Sequence, residues 1–261
     1  MRELYRCAGK VHEGKPKIFI AMPNQGNICP KNVMNLVGWF MAEEYTLQFY
    51  GPDDQRPHDR ARNLCCKAFM ETDFEYLLFV DAQTAPEPSY LDKLLRADKP
   101  VVSGVVQTIQ AGKNKLPYVG PQASMAPALV SVSLREKDGK YQCYYGKGLE
   151  EVDITTCAFT LIKREVIEKV HEKFGPPFSW HRLVDQEWGI EGYSEDFDFC
   201  LKVKEVGFKL YADFNCLCMH QQRADMRMFN QILLRVAEKE RRKGADLERE
   251  IETLKRGDEN D

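Results

Sequence analysis

The chain has 261 residues, of which 43% are apolar and 30% are charged, so it can bury the core of one or two domains. With a formal net charge of −3, the chain lacks the excess of basic residues with which proteins bind nucleic acid without sequence preference, so this class of function is disfavoured. No apolar run approaches the roughly 18 residues of a membrane-spanning helix. The nine cysteines and the lack of an apolar leader stretch at the first residues predict reduced thiols and a cytoplasmic location.

Apolar residues recur with the spacings of alternating strands and helices along most of the chain. Strands are predicted at 17–22, 46–50, 76–80, 100–106, 152–162 and 208–212. Helices are predicted at 33–41, around 61–64, and at 89–96, 163–174 and 194–206. The first helix carries its apolar residues at one helical spacing: Val33, Leu36, Val37, Phe40 and Met41. A hairpin of 128–134 with 141–145 is predicted around Asp138-Gly139, and loops are predicted at 107–127 and 175–194.

The segment Tyr76–Val80 is apolar at every position, which is typical of a strand covered on both faces. Together with the order of strands and helices, it predicts an α/β fold whose sheet has helices on both faces.

The last part of the chain has a different composition, dense in charges of both signs. One apolar stripe is formed by Phe229, Ile232, Leu233 and Val236, and a second, beyond Gly244, by Leu247, Ile251 and Leu254. A solvated helix that frays into a tail and a short self-associating coil both fit this pattern. We therefore expect one domain over 1–222 and a charged C-terminal helix or tail over 223–261.

Asp81 directly follows the buried strand 76–80, at the strand end where ligands of open α/β sheets collect. A carboxylate there can hold a divalent cation, and Gln83 adds an amide oxygen two residues later. The alternative is that Asp81 only caps the turn that follows.

A second candidate region runs from Trp188 to Asp196. Gly192 allows close approach to a ligand, and Trp188 offers a flat apolar face suited to a sugar ring. Glu195 and Asp196 follow at the start of a helix, where the helix dipole favours carboxylates. The alternative is that these acids, with Ser194 as N-cap, only cap the helix.

Three further groups of residues carry candidate chemistry. In a strand, Cys216, Cys218 and His220 share one face, which fits either a zinc site or two buried cysteines with a polar tip. Arg62 in Ala61-Arg62-Asn63 fits either a phosphate or nucleobase ligand or a surface salt bridge. The adjacent Cys65-Cys66 pair is weak support for a nucleophile.

In their order, these segments resemble the glycosyltransferases of the GT-A fold, and especially the family 2-like enzymes of bacteria and phages. The resemblance covers roughly residues 17–220. It rests on Met22-Pro23, Ala61-Arg62-Asn63, the strand ending at Asp81-Ala-Gln83, the strand Pro100–Gly104, the Trp188–Asp196 region, and His220 after the last strand. It implies a mixed, mostly parallel central sheet.

The resemblance also implies roles for individual residues. Asp81 and His220, with Gln83, would hold Mn²⁺ or Mg²⁺ on the diphosphate of a UDP-sugar or GDP-sugar. Pro23 and Arg62 would line the nucleotide pocket together with Asp81 and Gln83. Asp196 would act as general base and Glu195 would bind the acceptor hydroxyl, with Trp188 and Gly192 beside it. Gln83 departs from the family, which has an aspartate there, and an amide is a weaker ligand for a hard cation.

The sequence therefore predicts a glycosyltransferase that moves a sugar to a hydroxyl acceptor, which is a glycan, a lipid, a protein or modified DNA. Two alternatives remain: a non-catalytic sugar-nucleotide-binding or assembly protein on the same fold, and a nucleotidyltransferase. The C-terminal helix adds the expectation of a homo-oligomer.

Overall fold

A computed structural model of the chain gives a mixed α/β architecture. It describes residues 4–23, 28–52, 55–110, 128–131, 133–179, 181–184, 190–221, 238 and 241. Within these ranges, no helix is both long enough and apolar enough to cross a membrane.

The first half of the chain alternates strands and helices. In chain order these are β1 (Leu4–Ala8), β2 (Lys17–Ala21), α1 (Pro30–Met41), β3 (Thr46–Pro52), α2 (His58–Met70), β4 (Tyr76–Val80), β5 (Thr84–Ala85), α3 (Tyr90–Ala97) and β6 (Val101–Gln110).

The second half has more strands, and its described residues up to 221 contain two helices. They are β7 (Ala128–Ser131), β8 (Leu134–Lys137), β9 (Lys140–Cys143), β10 (Leu149–Val152), β11 (Phe159–Lys163), α4 (Arg164–Phe174), β12 (His181–Val184), β13 (Ile190–Tyr193), α5 (Glu195–Glu205) and β14 (Leu210–His220).

One large sheet forms the centre of the fold, with the strand order β1-β3-β2-β4-β11-β6-β14-β10. Strand β2 is parallel to β3 and β4, and β6 is parallel to β14. Strand β11 is antiparallel to both β4 and β6, so β2, β3, β4, β6 and β14 all run in one direction. Their carboxyl ends therefore lie at the same edge of the sheet.

Alternate residues of the central strands point into two apolar cores, one on each face of the sheet. Phe19, Leu77 and Phe79 pack with apolar residues of α2, α4 and α5. Ile20 and Leu78 pack with apolar residues of α1 and α3. The predicted α/β fold with helices on both faces is confirmed.

The predicted single strand 152–162 is wrong, because β10 ends at Val152 and β11 begins at Phe159. The segment between them folds back on itself: the Ala158 N–H donates to Thr156 Oγ1 and Thr160 Oγ1 donates to the Thr156 carbonyl. Such local hydrogen bonds compete with pairing in a sheet, although β-branched residues otherwise favour strands.

The predicted hairpin has the right turn and the wrong first strand. Asp138 and Gly139 have positive φ angles of 53° and 74°, as a two-residue hairpin turn requires. The strand that pairs across this turn is Leu134–Lys137, whereas Ala128–Ser131 pairs with β6. Strand β6 itself continues to Gln110, into the predicted loop 107–127, of which residues 111–127 lie outside the described part.

Three other short pairings were not predicted. The predicted loop 175–194 contains the β12–β13 hairpin, and both β1 and β5 were missed. Strand β14 was predicted to end at 212 but extends to His220. Strands of two to five residues are too short to show a clear alternation of apolar and polar residues in the sequence. Whether they form depends on the strands with which they pair.

Helix α1 was predicted correctly, but only part of its apolar stripe, Leu36 and Phe40, packs against the core. Val33, Val37 and Met41 are 45%, 48% and 79% exposed, whereas Asn32 and Asn35 are buried. The buried amides donate to the Asp81 and Pro86 carbonyls, so polar bonds fix the rotation of this helix.

Candidate functional site

The structure places Asp81 at the carboxyl edge of the sheet, directly after β4. Its N–H donates to the Ala158 carbonyl at 2.8 Å. Its carbonyl accepts the Asn32 side-chain amide at 3.0 Å. These backbone contacts fix the position from which the carboxylate extends, as the strand pattern predicted.

Arg62 in α2 is buried, with only 1% of its surface exposed. The guanidinium carbon lies 5.2 Å from the ring centre of Phe79 and 5.9 Å from that of Phe178. Aromatic faces stabilise a cation, but a buried guanidinium also requires carboxylates or other acceptors around it.

Three carboxylates supply that compensation. Arg62 Nη1 lies 3.2 Å from Asp81 Oδ1, and Arg62 Nε lies 3.1 Å from Asp196 Oδ1 and 3.4 Å from Glu195 Oε1. Asp81 comes from the end of β4, and the two other acids come from the first turn of α5. Arg62 therefore joins two chain segments that are more than one hundred residues apart, and we call these four residues the ion cluster.

Asp196 is held from both sides. While Oδ1 faces Arg62, Oδ2 accepts hydrogen bonds from Thr156 Oγ1 and from the Cys157 N–H, both at 3.1 Å. The segment that breaks the predicted strand 152–162 thus supplies the donors. Neither donor was foreseen, because their approach depends on that break.

Ser194 caps α5, as expected, by accepting the Phe197 N–H. Glu195 and Asp196 are therefore not needed as caps, and their side chains face Arg62. Asp198, on the same helix, instead accepts the Ser179 N–H at 3.0 Å and pairs with Lys202 at 2.7 Å.

The ion cluster holds more acids than its one guanidinium can neutralise. Burial, with repulsion from Asp196, raises the pKa of Glu195 to about 7, although Arg62 opposes this shift. Burial also raises the pKa of Asp81, against the attraction of Arg62. Burial disfavours the Arg62 cation, but Asp196 and Asp81 hold its pKa well above the ordinary value. Near neutral pH the ion cluster can therefore take up or release a proton at Glu195.

A cavity of about 260 Å³ opens beside Asp81. It is lined by Pro23, Arg56, His58, Asp81, Ala82, Gln83 and His220. Four of the predicted site residues, Pro23, Asp81, Gln83 and His220, are thus brought together. Arg62 is not among the lining residues, since its guanidinium is turned toward the carboxylates.

His220 lies beyond a register shift in β14. The pairing of β14 with β6 shifts register between Asp213 and Leu217. Beyond that shift, His220 pairs with Thr84 and the Gln221 N–H donates to the Gln83 carbonyl at 2.9 Å. His220 Nδ1 is buried and has no hydrogen-bond partner within the described residues.

Arg56 and His58 line the cavity but were not singled out from the sequence. They precede and begin α2, at the carboxyl edge of the sheet. The Arg56-Pro-His58 run before a predicted helix was the available signal, since an arginine and an imidazole at such an edge can donate hydrogen bonds to an anionic ligand.

A complete metal site of acidic, histidine or cysteine side chains is not formed, since the described residues contain no such group of three. Asp81, Gln83 and His220 nevertheless line one cavity, and His220 Nδ1, which has no hydrogen-bond partner within the described residues, is available as a metal ligand. This set fits a cation that takes its remaining ligands from a bound diphosphate or from water.

The cysteines do not support the zinc or nucleophile alternatives. Burial raises the pKa of both Cys65 and Cys66, which disfavours the thiolate needed for attack. Cys216 and Cys218 are buried in the apolar core that includes residues of α1 and α3, and no third acidic, histidine or cysteine side chain within the described residues joins them in a metal-binding group. They behave as small apolar residues of the core.

The predicted acceptor residues are only partly within the described structure. Trp188 lies outside the described residues. Gly192 lies in β13, opposite Arg182 of β12, and this strand leads directly into α5. Their proposed contact with an acceptor stays a prediction.

No protein-family model and no curated protein matches the sequence. Among solved structures, the chain is similar to A197 from STIV, with a TM-score of 0.48 and 19% identity over 79% of this chain and 86% of that one. It is also similar to GalNAc-T7, whose crystal structure contains UDP, GalNAc and Mn²⁺. That match has a TM-score of 0.46 and 11% identity, and it covers 82% of this chain and 45% of that one.

Proposed function

We propose that the protein is a glycosyltransferase that moves a sugar from a UDP-sugar or GDP-sugar to a hydroxyl acceptor. One observation supports this most strongly. Arg62 connects Asp81, which lines the cavity, to the acid pair Glu195 and Asp196. A cavity suited to an anionic donor thus lies beside carboxylates suited to activating an acceptor.

The donor end combines opposite charges. Arg56 and His58 favour the phosphates of a nucleotide, while Asp81 and His220, with Gln83, would hold Mn²⁺ or Mg²⁺. When bound, the cation would neutralise charge on the leaving nucleoside diphosphate. Pro23 forms part of the wall against which the nucleotide would pack.

At the acceptor end, Asp196 is proposed as the base and Glu195 as the ligand of the acceptor hydroxyl. The Asp196 side chain is the more exposed of the two, at 17% against 7%. As the acceptor oxygen bonds to the anomeric carbon, the bond from that carbon to the diphosphate oxygen breaks. Asp196 takes the hydroxyl proton, and the nucleoside diphosphate leaves with the electron pair.

This chemistry requires that the acceptor carry a hydroxyl group, and it does not select one class of acceptor. A glycan, a lipid, a protein and modified DNA each present such a group, and Trp188 and Gly192 would contact it. Homo-oligomer formation and a cytoplasmic location likewise stay predictions.

A second candidate is a sugar-nucleotide-binding protein without turnover. It is favoured because the described residues contain no group of three acidic, histidine or cysteine side chains that could hold a metal ion by themselves. It is also favoured by the two hydrogen bonds that occupy Asp196 Oδ2.

Release of UDP or GDP from a panel of sugar nucleotides separates the two candidates, because water can replace an unidentified acceptor. The enzyme hypothesis predicts release that requires Mn²⁺ or Mg²⁺ and falls about 100-fold or more in Asp196→Asn. Asp73→Asn, which alters an exposed carboxylate paired with Lys17, is the matched control. Binding of nucleotide without release would support the second candidate, and pyrophosphate release from a nucleoside triphosphate would support a nucleotidyltransferase.

A further inference from the structure

Helix α1 presents an apolar face to solvent. Its exposed stripe consists of Val33, Met34, Val37 and Met41, with exposures of 45%, 69%, 48% and 79%. The opposite side is fixed by polar contacts, because Asn32, Asn35 and the Trp39 indole each donate to a backbone carbonyl of residues 81–88. The stripe therefore cannot be buried by rotating the helix, and contiguous exposed apolar surface marks an interaction site.

We propose that the C-terminal segment of the same chain, residues 229–243, docks on this stripe of α1. This contact lies within the chain and is independent of the proposed catalytic function.

The chain leaves the described domain close to the start of α1. Ala82 O accepts the Cys29 N–H just before α1, and the next carbonyl, that of Gln83, accepts the Gln221 N–H. Eight residues lead from Gln221 to Phe229, enough to span about 26 Å when extended. The segment can therefore reach the stripe without crossing the molecule.

The segment carries a matching stripe in its sequence. Phe229, Ile232, Leu233 and Val236 have the spacing of one helical face. Glu238 falls on the opposite side of such a helix, and the structure describes it as helical and exposed. The two stripes have similar lengths, since 229–236 rises about 10 Å and 33–41 about 12 Å in helical form.

Charges fix the direction of docking. Glu43 and Glu44 are exposed just beyond the C-terminal end of α1. If the segment runs parallel to α1, its basic residues fall beside these acids: Lys239, Arg241, Arg242 and Lys243. The same acids disfavour an anionic lipid surface as the occupant of this face.

Hydrogen exchange of the full chain, read by mass spectrometry over 229–236, tests the proposal. An isolated helix of this length is marginal in water, so protection of these amides depends on docking. Val37→Asp is expected to lower the protection factor of 229–236 about tenfold or more. Leu149→Asp, at an exposed apolar site on the edge strand β10, should leave it unchanged.

A reciprocal variant keeps the test independent of α1. Phe229→Asp leaves the sequence of α1 unchanged and should produce the same loss of protection over 229–236. Equal exchange in the wild type and both variants would overturn the proposal. Protection that rises with protein concentration, together with a dimer in sedimentation velocity, would also overturn it and assign the stripe to a second copy.

Discussion

Arg62 is the residue that holds the candidate site together. Removing its charge would leave Asp81, Glu195 and Asp196 close to one another without a cation, and breaking a buried ion pair typically costs about 3–5 kcal/mol. We therefore expect Arg62→Met to lower the free energy of unfolding by about that amount, measured by urea denaturation.

Arg60→Met is the matched control, because Arg60 is an exposed arginine of the same helix. Its unfolding free energy should stay within about 0.5 kcal/mol of the wild type. Arg62→Lys retains the charge but not the planar fork, so its loss should be intermediate. A loss for Arg62→Met no larger than that for Arg60→Met would contradict the role of the ion cluster.

Glu195 gives the protein a predicted pH dependence. Its pKa of about 7 in the folded state lies above its ordinary value of 4.5, so folding favours the neutral acid. The stability from the neutral form is complete below about pH 4.5 and is lost as the pH rises through about 7, a cost of up to about 3 kcal/mol.

Glu195→Gln mimics the neutral acid at every pH. We expect it to raise Tm at pH 8 and to change Tm little at pH 5, as followed by thermal melting. Asp81 shifts in the same direction, so some pH dependence will remain in the variant. The exposed control Glu172→Gln should shift Tm equally at both pH values, and the same result for Glu195→Gln would refute this assignment.

The sequence located part of the site because its residues follow strands. Asp81 and His220 each stand at a strand end that reaches the same edge of the sheet, although the extension of β14 beyond its register shift was needed to place His220 there. The contacts of Arg62 could not be located in this way, because they depend on the direction of its side chain. Arg62 was expected in the nucleotide pocket, but three carboxylates turn it inward, and only contacts between distant segments determine that direction.

At the level of elements, β14 shifts register before it reaches His220, and Gly104 of β6 pairs with Asp213 at the start of that shift. A Cβ at Gly104 would lie 2.8 Å from Phe159 Cδ1 and 2.9 Å from the Cys216 carbonyl oxygen. We expect Gly104→Ala to destabilise the fold by about 1–3 kcal/mol, measured by urea denaturation.

Gly38 in α1 is the contrasting case, since a Cβ there would meet nothing within 4 Å. Gly38→Ala should stabilise the helix by up to about 1 kcal/mol. If Gly104→Ala and Gly38→Ala changed the free energy of unfolding in the same direction, close packing of β6 against β14 would not explain the glycine at position 104.

The elements most reliably predicted were the helices with a periodic apolar pattern and the strands that are apolar at nearly every position. Helices α2, α4 and α5 and strands β2 and β4 lie where the pattern placed them. The errors fell on 128–162, where threonine side chains break a β-branched run and where strand partners lie far away in sequence. In α1, periodicity identified the apolar stripe but not its direction, and Val33, Val37 and Met41 of that stripe are exposed.

At the scale of the whole molecule, the candidate site joins the two halves of the chain. The first half contributes Asp81 and Arg62, and the second contributes His220 and the acid pair in the first turn of α5. The expected division into a domain over 1–222 and a tail over 223–261 stays a prediction. The large sheet spans Leu4 to His220, which is consistent with one domain up to that point.

The central claim is that the cavity beside Asp81 binds a nucleoside diphosphate with a divalent cation. Isothermal titration calorimetry with UDP and with GDP, each with Mn²⁺ or EDTA, tests it most directly. We predict binding of one nucleotide that requires Mn²⁺ and weakens about tenfold or more in Asp81→Asn and His220→Ala. The exposed controls Asp73→Asn and His171→Gln should bind as the wild type does. Absence of binding by the folded wild type, or equal binding by Asp81→Asn, would contradict the account.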